Sequence, residues 1–229
     1  LAAAGAYGSP DAIEGNAGLC AALGKPAAGD DMRPFAAAPE ILNVYHKAVP
    51  ACNFAQTPAL AALQLARTTH FAIDRIAAIS VRVPRAGALY PGCDWCGPYA
   101  NVLQGKMSLP YNVAAALVHG AITEHNFARL DDPRITRLIA LTSLEIDDRF
   151  SAAYPGRQGG EVVLELDDGT RHGTRLDDVV HATDDEVAAR FAAATAAVFG
   201  SARADEIAQA IDALETLPDA GALARLLRP

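Results

Sequence analysis

The chain has 229 residues, enough for one medium domain or two small ones. It carries 27 acidic side chains against 19 Lys and Arg, a formal net charge of −8, so the basic footprint expected of a nucleic-acid binder is missing. Hydrophobic residues make up 51% and aromatics only 6%, which leaves a core of Ala, Leu, Val and Ile and favours close-packed helices.

Leu1 to Ala6 reads as the middle of a helix with no capping residue before it, so further sequence is expected upstream. Ser9-Pro10 forms an N-cap with Pro at the first helical position, and Asp11 to Leu23 follows as a helix weakened by Gly15 and Gly18. Gly24 to Pro39 is a Gly, Pro and Asp-containing connection. Ile41 to Pro50 reads as a short strand running into a loop. Thr57-Pro58 is a second cap pair, opening a helix that carries Leu60, Leu63 and Leu65 and ends near His70.

Ile79, Val81 and Val83 alternate with Ser80 and Arg82, the pattern of a half-buried strand. Pro84 to Pro98 is a long loop rich in Gly, Pro and Cys, of a length that is often functional. Ser108 to His119 is a predicted helix with Pro110 in its first turn. Asp132-Pro133 starts another, with Ile135, Leu138 and Ile139 as its buried stripe.

Ser143 to Phe150 is a candidate strand. Val162, Leu164 and Leu166 alternate towards Asp168-Gly169, a hairpin turn, and Thr170 to Leu176 returns. Thr183 to Glu186 is a capping box before Val187, Phe191, Ala194 and Val198. A last helix from near Ser201 is expected to bury Ile207, Ile211, Leu214 and Leu217. The predicted class is α+β: a small antiparallel sheet with helices, flanked by terminal helices that belong to a separate all-α body. The expected divisions are 1–38 for the end of the helical domain, 39–180 for the α+β lid and 181–229 for the returning helices.

Chemistry concentrates in two places. Tyr45 to Thr57 packs Lys47, His46, Cys52 and two side-chain amides, Asn53 and Gln56, into a turn before a helix N-terminus, where backbone N–H groups favour anions. A carboxylate could be held there by Lys47 and those N–H groups together. In the second, Ser108 caps a helix whose first turn carries Tyr111, a phenol able to hydrogen-bond a carboxylate or pass a proton. The competing readings are a capped loop and a core aromatic tied to backbone.

Lys47-Ala-Val-Pro50-Ala-Cys52 resembles the K-x-(x)-P-x-C/H turn of the MmgE/PrpD family. Gln56-Thr57 is similar to the S-Q-T of its 2-methylcitrate dehydratases. Lys106-Met-Ser-Leu-Pro-Tyr111-Asn-Val-Ala-Ala-Ala-Leu117 resembles the family's K-F-S-L-P-Y-x-V-A-x-A-L signature. Gly8 to Gly15, Asp131 to Ile135, Tyr154-Pro155 and the closing helices follow in family order, so the resemblance spans nearly the whole chain. It implies the C-terminal, lid-bearing half of an enzyme that moves protons next to carboxylates without metal or organic cofactor. Known reactions are 2-methylcitrate dehydration, cis-aconitate decarboxylation and iminodisuccinate epimerisation. Many members carry a His close to the place of Gln56, which this chain lacks.

The resemblance, with the chemistry of the residues, casts Lys47 and Tyr111 as catalytic and Cys52, Gln56, Lys106 and Ser108 as substrate-binding; Arg82, on charge alone, is a further candidate for anion attraction. Lys47 and Tyr111 are expected to converge on one cleft. The expected partners are a small polycarboxylate, an upstream helical domain and a second copy of the chain; no nucleic acid or membrane is expected. A soluble, cytoplasmic setting is expected, since no apolar run reaches spanning length. A fold kept for interaction or assembly, without catalysis, is the alternative function. Cys93-Asp-Trp-Cys96 stands alone, too few ligands for a structural zinc, and reads as loop cysteines. His119, His125, His172 and His181 read as capping or surface residues.

Overall fold

The structure is a computed structural model that describes residues 5, 8, 10–16, 18–24, 41, 44–69 and 71–228. The expected helix at Leu1 to Ala6, the Ser9 cap, Lys25 in the connection and the helix end at His70 lie outside these residues. The chain divides into two compact units, Leu1–Val44 and Tyr45–Pro229.

In the first unit the continuous helix expected over Asp11 to Leu23 is replaced by turns and one short helix, α1, Leu19–Ala22. The glycines explain it. Gly15 N–H donates back to Asp11 O at 3.0 Å and Gly18 N–H to Gly15 O at 2.8 Å. A Cβ on Gly15 would lie 2.5 Å from Asp11 O, so the tight turn admits only glycine.

The second unit opens with a 3-10 turn, Asn53–Ala55, leading into α2, Gln56–Thr68. The helix starts one residue before the expected cap, and Thr57 does not cap it. Its hydroxyl donates instead to Gln158 O at 2.8 Å. Strand β1, Ile76–Val83, extends the expected strand N-terminally. The expected loop 84–98 contains a helical turn, α3, Arg85–Ala88, begun by the fixed φ of Pro84. Then come α4, Val102–Met107, and α5, Leu109–His119, which Ser108 caps by accepting from Tyr111 N and Gly120 ends at φ 60°. In α6, Pro133–Ala140, the Asp132 side chain accepts from Arg134 N, and Ile135, Leu138 and Ile139 are buried as expected.

Strand β2, Thr142–Ile146, stops before α7, Asp148–Ala153, because Asp147 caps that helix. The hairpin of β3, Gly160–Leu166, and β4, Arg171–Leu176, forms around Gly169 as its sequence predicts. The four strands lie in the order β2-β1-β3-β4. Two pairings are antiparallel and the third, β1 with β2, is parallel. The parallel pair follows from the long crossover through α3 to α6, since parallel neighbours cannot be joined by a hairpin. The α+β class therefore holds with a mixed sheet.

Ile79 faces Leu164 and Val81 faces Val162 across β1 and β3, and all four are buried. This face continues into the apolar core shared with α2 and α5, which pack on each other. On the other face Arg82 lies between Glu145 and Glu161 and bonds both, at 3.0 and 2.8 Å. Its charge is matched across the strands, so it is not free to attract an anion. His172 is half-buried and stacks on Phe71, rather than being exposed.

The capping box of α8, Asp184–Phe199, forms as expected: Thr183 Oγ1 accepts from Glu186 N, and the Glu186 carboxylate accepts from Thr183 N. None of its residues is buried. Helix α9, Ser201–Asp212, buries Ala204 and Ile207, but Ile211 and Leu214 are exposed. The chain breaks there into a 3-10 turn, Leu214–Thr216, before α10, Gly221–Leu226, so the expected four-residue buried stripe is cut short. Among the described residues no helix is long and apolar enough to cross a membrane.

Candidate functional site

The turn from Tyr45 to Ala55 is held from two directions. From outside, Lys47 forms an isolated antiparallel bridge with His181, and Ala182 N donates to His46 O at 2.9 Å. The Tyr45 ring stacks on the His181 ring, 4.2 Å between centroids, and Arg190 Nη1 donates to Lys47 O at 2.7 Å. From inside, Gln56 is fully buried and grips the backbone. Its Oε1 accepts from Val49 N at 2.9 Å, and its Nε2 donates to Val49 O at 2.8 Å and to Ala51 O and Cys52 O at 3.3 Å. A further clasp joins Asn53 Nδ2 to Gln158 Oε1 at 3.1 Å and Gln158 Nε2 to Asn53 O at 2.6 Å.

This scaffold leaves Lys47 exposed. Its ammonium donates to Ala51 O at 3.1 Å and has no carboxylate partner among the described residues. Cys52 is half-buried beside it. Its Sγ lies 3.9 Å from the Sγ of Cys93, which is fully buried. The hydrogen bond from Cys93 is the main influence that lowers the Cys52 thiol to about 6. Burial opposes it, and the N–H groups of Phe54 and Ala55 and the Lys47 ammonium add to it. Cys93 is pushed the other way, by donating that bond and by burial.

The second motif meets the first through backbone. Cys52 N donates to Lys106 O at 2.9 Å, and Leu109 N donates to Cys93 O at 2.8 Å. Two segments some fifty residues apart in the chain thus share one junction. The family model of the MmgE/PrpD C-terminal domain matches residues 49–216, which takes in the second segment, the four strands and the first segment from Val49 onward, and begins two residues after Lys47. The chain belongs to the MmgE/PrpD family. No curated protein matches it.

In this MmgE/PrpD chain the expected site residues separate into two groups. Lys47 and Cys52 come together. Tyr111 does not join them. Its side chain is fully buried between the rings of Tyr99 and Phe127, and its hydroxyl donates to Asn126 O at 2.7 Å and Arg129 O at 3.3 Å. Burial, with Asp132 and Asp131 nearby, raises the phenol to about 12. The expected convergence of Lys47 and Tyr111 on one cleft is therefore corrected: the phenol is sealed in the core and bonded to backbone.

Ser108 is also fully buried. It caps α5, and its hydroxyl donates to Trp95 O at 2.5 Å and lies 3.1 Å from the Tyr99 hydroxyl. Gln56, as shown, is committed to its turn. Both expectations of direct substrate contact are corrected for the same reason, a lack of exposed surface. The Lys106 ammonium is paired with Glu124 at 2.7 Å and sits over the Phe127 ring. Only its carbonyl reaches the Cys52 turn.

Sequence reasoning missed Cys93, Gln158 and Arg190 as supports of the turn. It also placed His181 on the surface without seeing that it pairs with Lys47. Nothing local marks these residues, because each acts across a long sequence separation. Cys93 and Cys96 form a CxxC pair in sequence, yet the two diverge: Cys96 is exposed and bonds Asp94 O at 3.3 Å. Among the described residues no cluster of three or more His, Cys, Asp or Glu could hold a metal ion.

Proposed function

We propose that this chain is the carboxylate-binding lid of a cofactor-independent lyase or isomerase for small di- or tricarboxylates, with 2-methylcitrate-dehydratase-like chemistry as its leading form. The observation that carries this reading is Lys47: an exposed ammonium, unpaired with any carboxylate among the described residues, on a turn clamped from both sides and just before a helix start. An ammonium placed that way attracts an anion, and the N–H groups at the start of α2 favour the same charge. Loss of a proton next to a carboxylate spreads negative charge onto its oxygens. A fixed cation lowers that barrier more than it stabilises the substrate.

In this reading Lys47 holds the carboxylate and Cys52 lines the pocket. The proton acceptor comes from the upstream helical domain that the family resemblance implies, and two copies form a cytoplasmic dimer.

A second reading, a non-catalytic interaction or assembly domain, is favoured by Gln56. That side chain is locked into the turn near the place where many members carry an imidazole.

Turnover of 2-methylcitrate, cis-aconitate and iminodisuccinate, followed by proton NMR on this chain with and without the helical half, separates the two. Activity with the helical half present is the expected outcome. Lys47→Ala should then lower kcat/KM by about 10²-fold or more, while Tyr111→Phe keeps turnover per folded molecule. Undiminished activity in Lys47→Ala would sink the assignment, and carboxylate binding without turnover would favour the assembly reading.

A further inference from the structure

We propose that Cys52 is a peroxide-oxidisable thiol with Cys93 as its resolving partner, so that the turn carrying Lys47 can be pinned to the segment before α4 by a disulfide. The two sulfurs are 3.9 Å apart, although the residues lie on separate segments, and each residue's backbone is hydrogen-bonded into the α4–α5 junction. Closure to a bonded separation of about 2.05 Å is a small further movement. Access is asymmetric: Cys52 is part-exposed and Cys93 is fully buried, so an oxidant in solution meets Cys52 first.

The surroundings of Cys52 favour the thiolate. The backbone N–H groups of Phe54 and Ala55, at a helix start, and the Lys47 ammonium all favour the thiolate, and the thiol is held well below its ordinary range. Cys96 is more exposed, but burial and Asp94 push its thiol up, so exposure alone does not choose the reactive site.

The chemistry balances with a hydroperoxide as oxidant. The Cys52 thiolate attacks one peroxide oxygen, the O–O bond breaks, and the leaving oxyanion takes a proton to become water or an alcohol. Cys52 is then a sulfenic acid. The Cys93 sulfur gives up its proton and attacks the Cys52 sulfur; the S–O bond breaks, and hydroxide leaves with that proton as water. Two thiols are oxidised and one hydroperoxide is reduced. Because Lys47 bonds Ala51 O, next to Cys52, the bond would fix the backbone that carries the exposed ammonium. The inference does not depend on the turnover proposed above.

The test is hydrogen peroxide at modest excess over the folded full chain, followed by intact mass, thiol titration and peptide mapping. The expected product has lost one hydrogen pair and gives a single Cys52–Cys93 cross-linked peptide, with Cys20 and Cys96 still free. Cys93→Ser should leave a Cys52 sulfenic acid that dimedone traps, and Cys52→Ser should abolish the cross-link. If either variant fails to fold, the wild-type peptide map still decides. The proposal is overturned by links through Cys20 or Cys96, by sulfenic acid at Cys96 in preference to Cys52, or by no oxidation of the folded chain.

Discussion

Gln56 presents both an acceptor and a donor to the turn: it is the partner of Val49 N–H and a second donor to three carbonyls that Ala51 N–H, the Lys47 ammonium and Ala55 N–H also reach. Removing it strands the buried Val49 N–H, at a cost of roughly 1–3 kcal/mol, and leaves each carbonyl with its other donor. Gln56→Leu, close in size but unable to bond, should lower stability by about 1–3 kcal/mol, read as a fall in the urea midpoint with unchanged slope. Gln56→Glu should be no better at neutral pH, because an ionised carboxylate has no proton for the three carbonyls. A Gln56→Leu midpoint within error of wild type would remove the clasp. Residue types at this scale were visible in the sequence; their orientation was not. Gln56, Ser108 and Tyr111 were each readable as ligand-facing or as structural, and burial decided all three. Lys47 differs from these three in being exposed among the described residues.

At the scale of elements, local signals worked where one residue both ends and begins a structure. Asp132, Ser108 and Thr183 cap the helices their sequence context assigns to them. The alternation at Ile79, Val81 and Val83, and at Val162, Leu164 and Leu166, puts each strand's apolar face inward. Failures came where long-range partners compete. Thr57 resembled a cap but bonds Gln158, and β2 joined β1 in parallel because 58 residues of crossover separate their ends (84–141). Asp132 gives the caps a pH test. Its bond to the Arg134 side chain is the main cause holding it down at about 2, with the Arg134 N–H adding to it and burial opposing. A carboxyl whose folded pKa is depressed stabilises the fold above its unfolded pKa, and that contribution is lost as pH falls through about 2. Asp132→Ala should therefore lower unfolding free energy by about 1 kcal/mol at neutral pH. The gap to wild type should narrow as pH approaches the depressed value. A gap that stays constant down to acid would mean the ionised cap contributes nothing.

At the scale of the whole molecule, the C-terminal pair of helices leaves apolar surface uncovered. Helix α8 buries no residue of its own, and Val198 is 71% exposed, with Phe191, Ile211 and Leu214 also in solvent. Val187, Phe191, Ala208 and Ile211 border one concave patch between α8 and α9. The amphipathic pattern was legible as a burial stripe, but a pattern states only that a helix wants a cover, not which surface supplies it. Uncovered apolar surface of this kind promotes association, while a net charge of −8 opposes it through repulsion between copies. These terms respond oppositely to salt. Repulsion between exposed charges is screened, with a Debye length of about 8 Å at physiological ionic strength, whereas hydrophobic contact is not weakened. The isolated chain should therefore self-associate in light scattering, more strongly as sodium chloride rises. Phe191→Glu with Val198→Glu should return it towards monomer without lowering the unfolding midpoint appreciably, since neither side chain is buried. A monomer at high concentration in high salt would mean this face needs no cover. Association that falls with salt would assign it to ion pairs instead, and would turn attention from α8 to the charged surface of the sheet around Arg75 and Arg171.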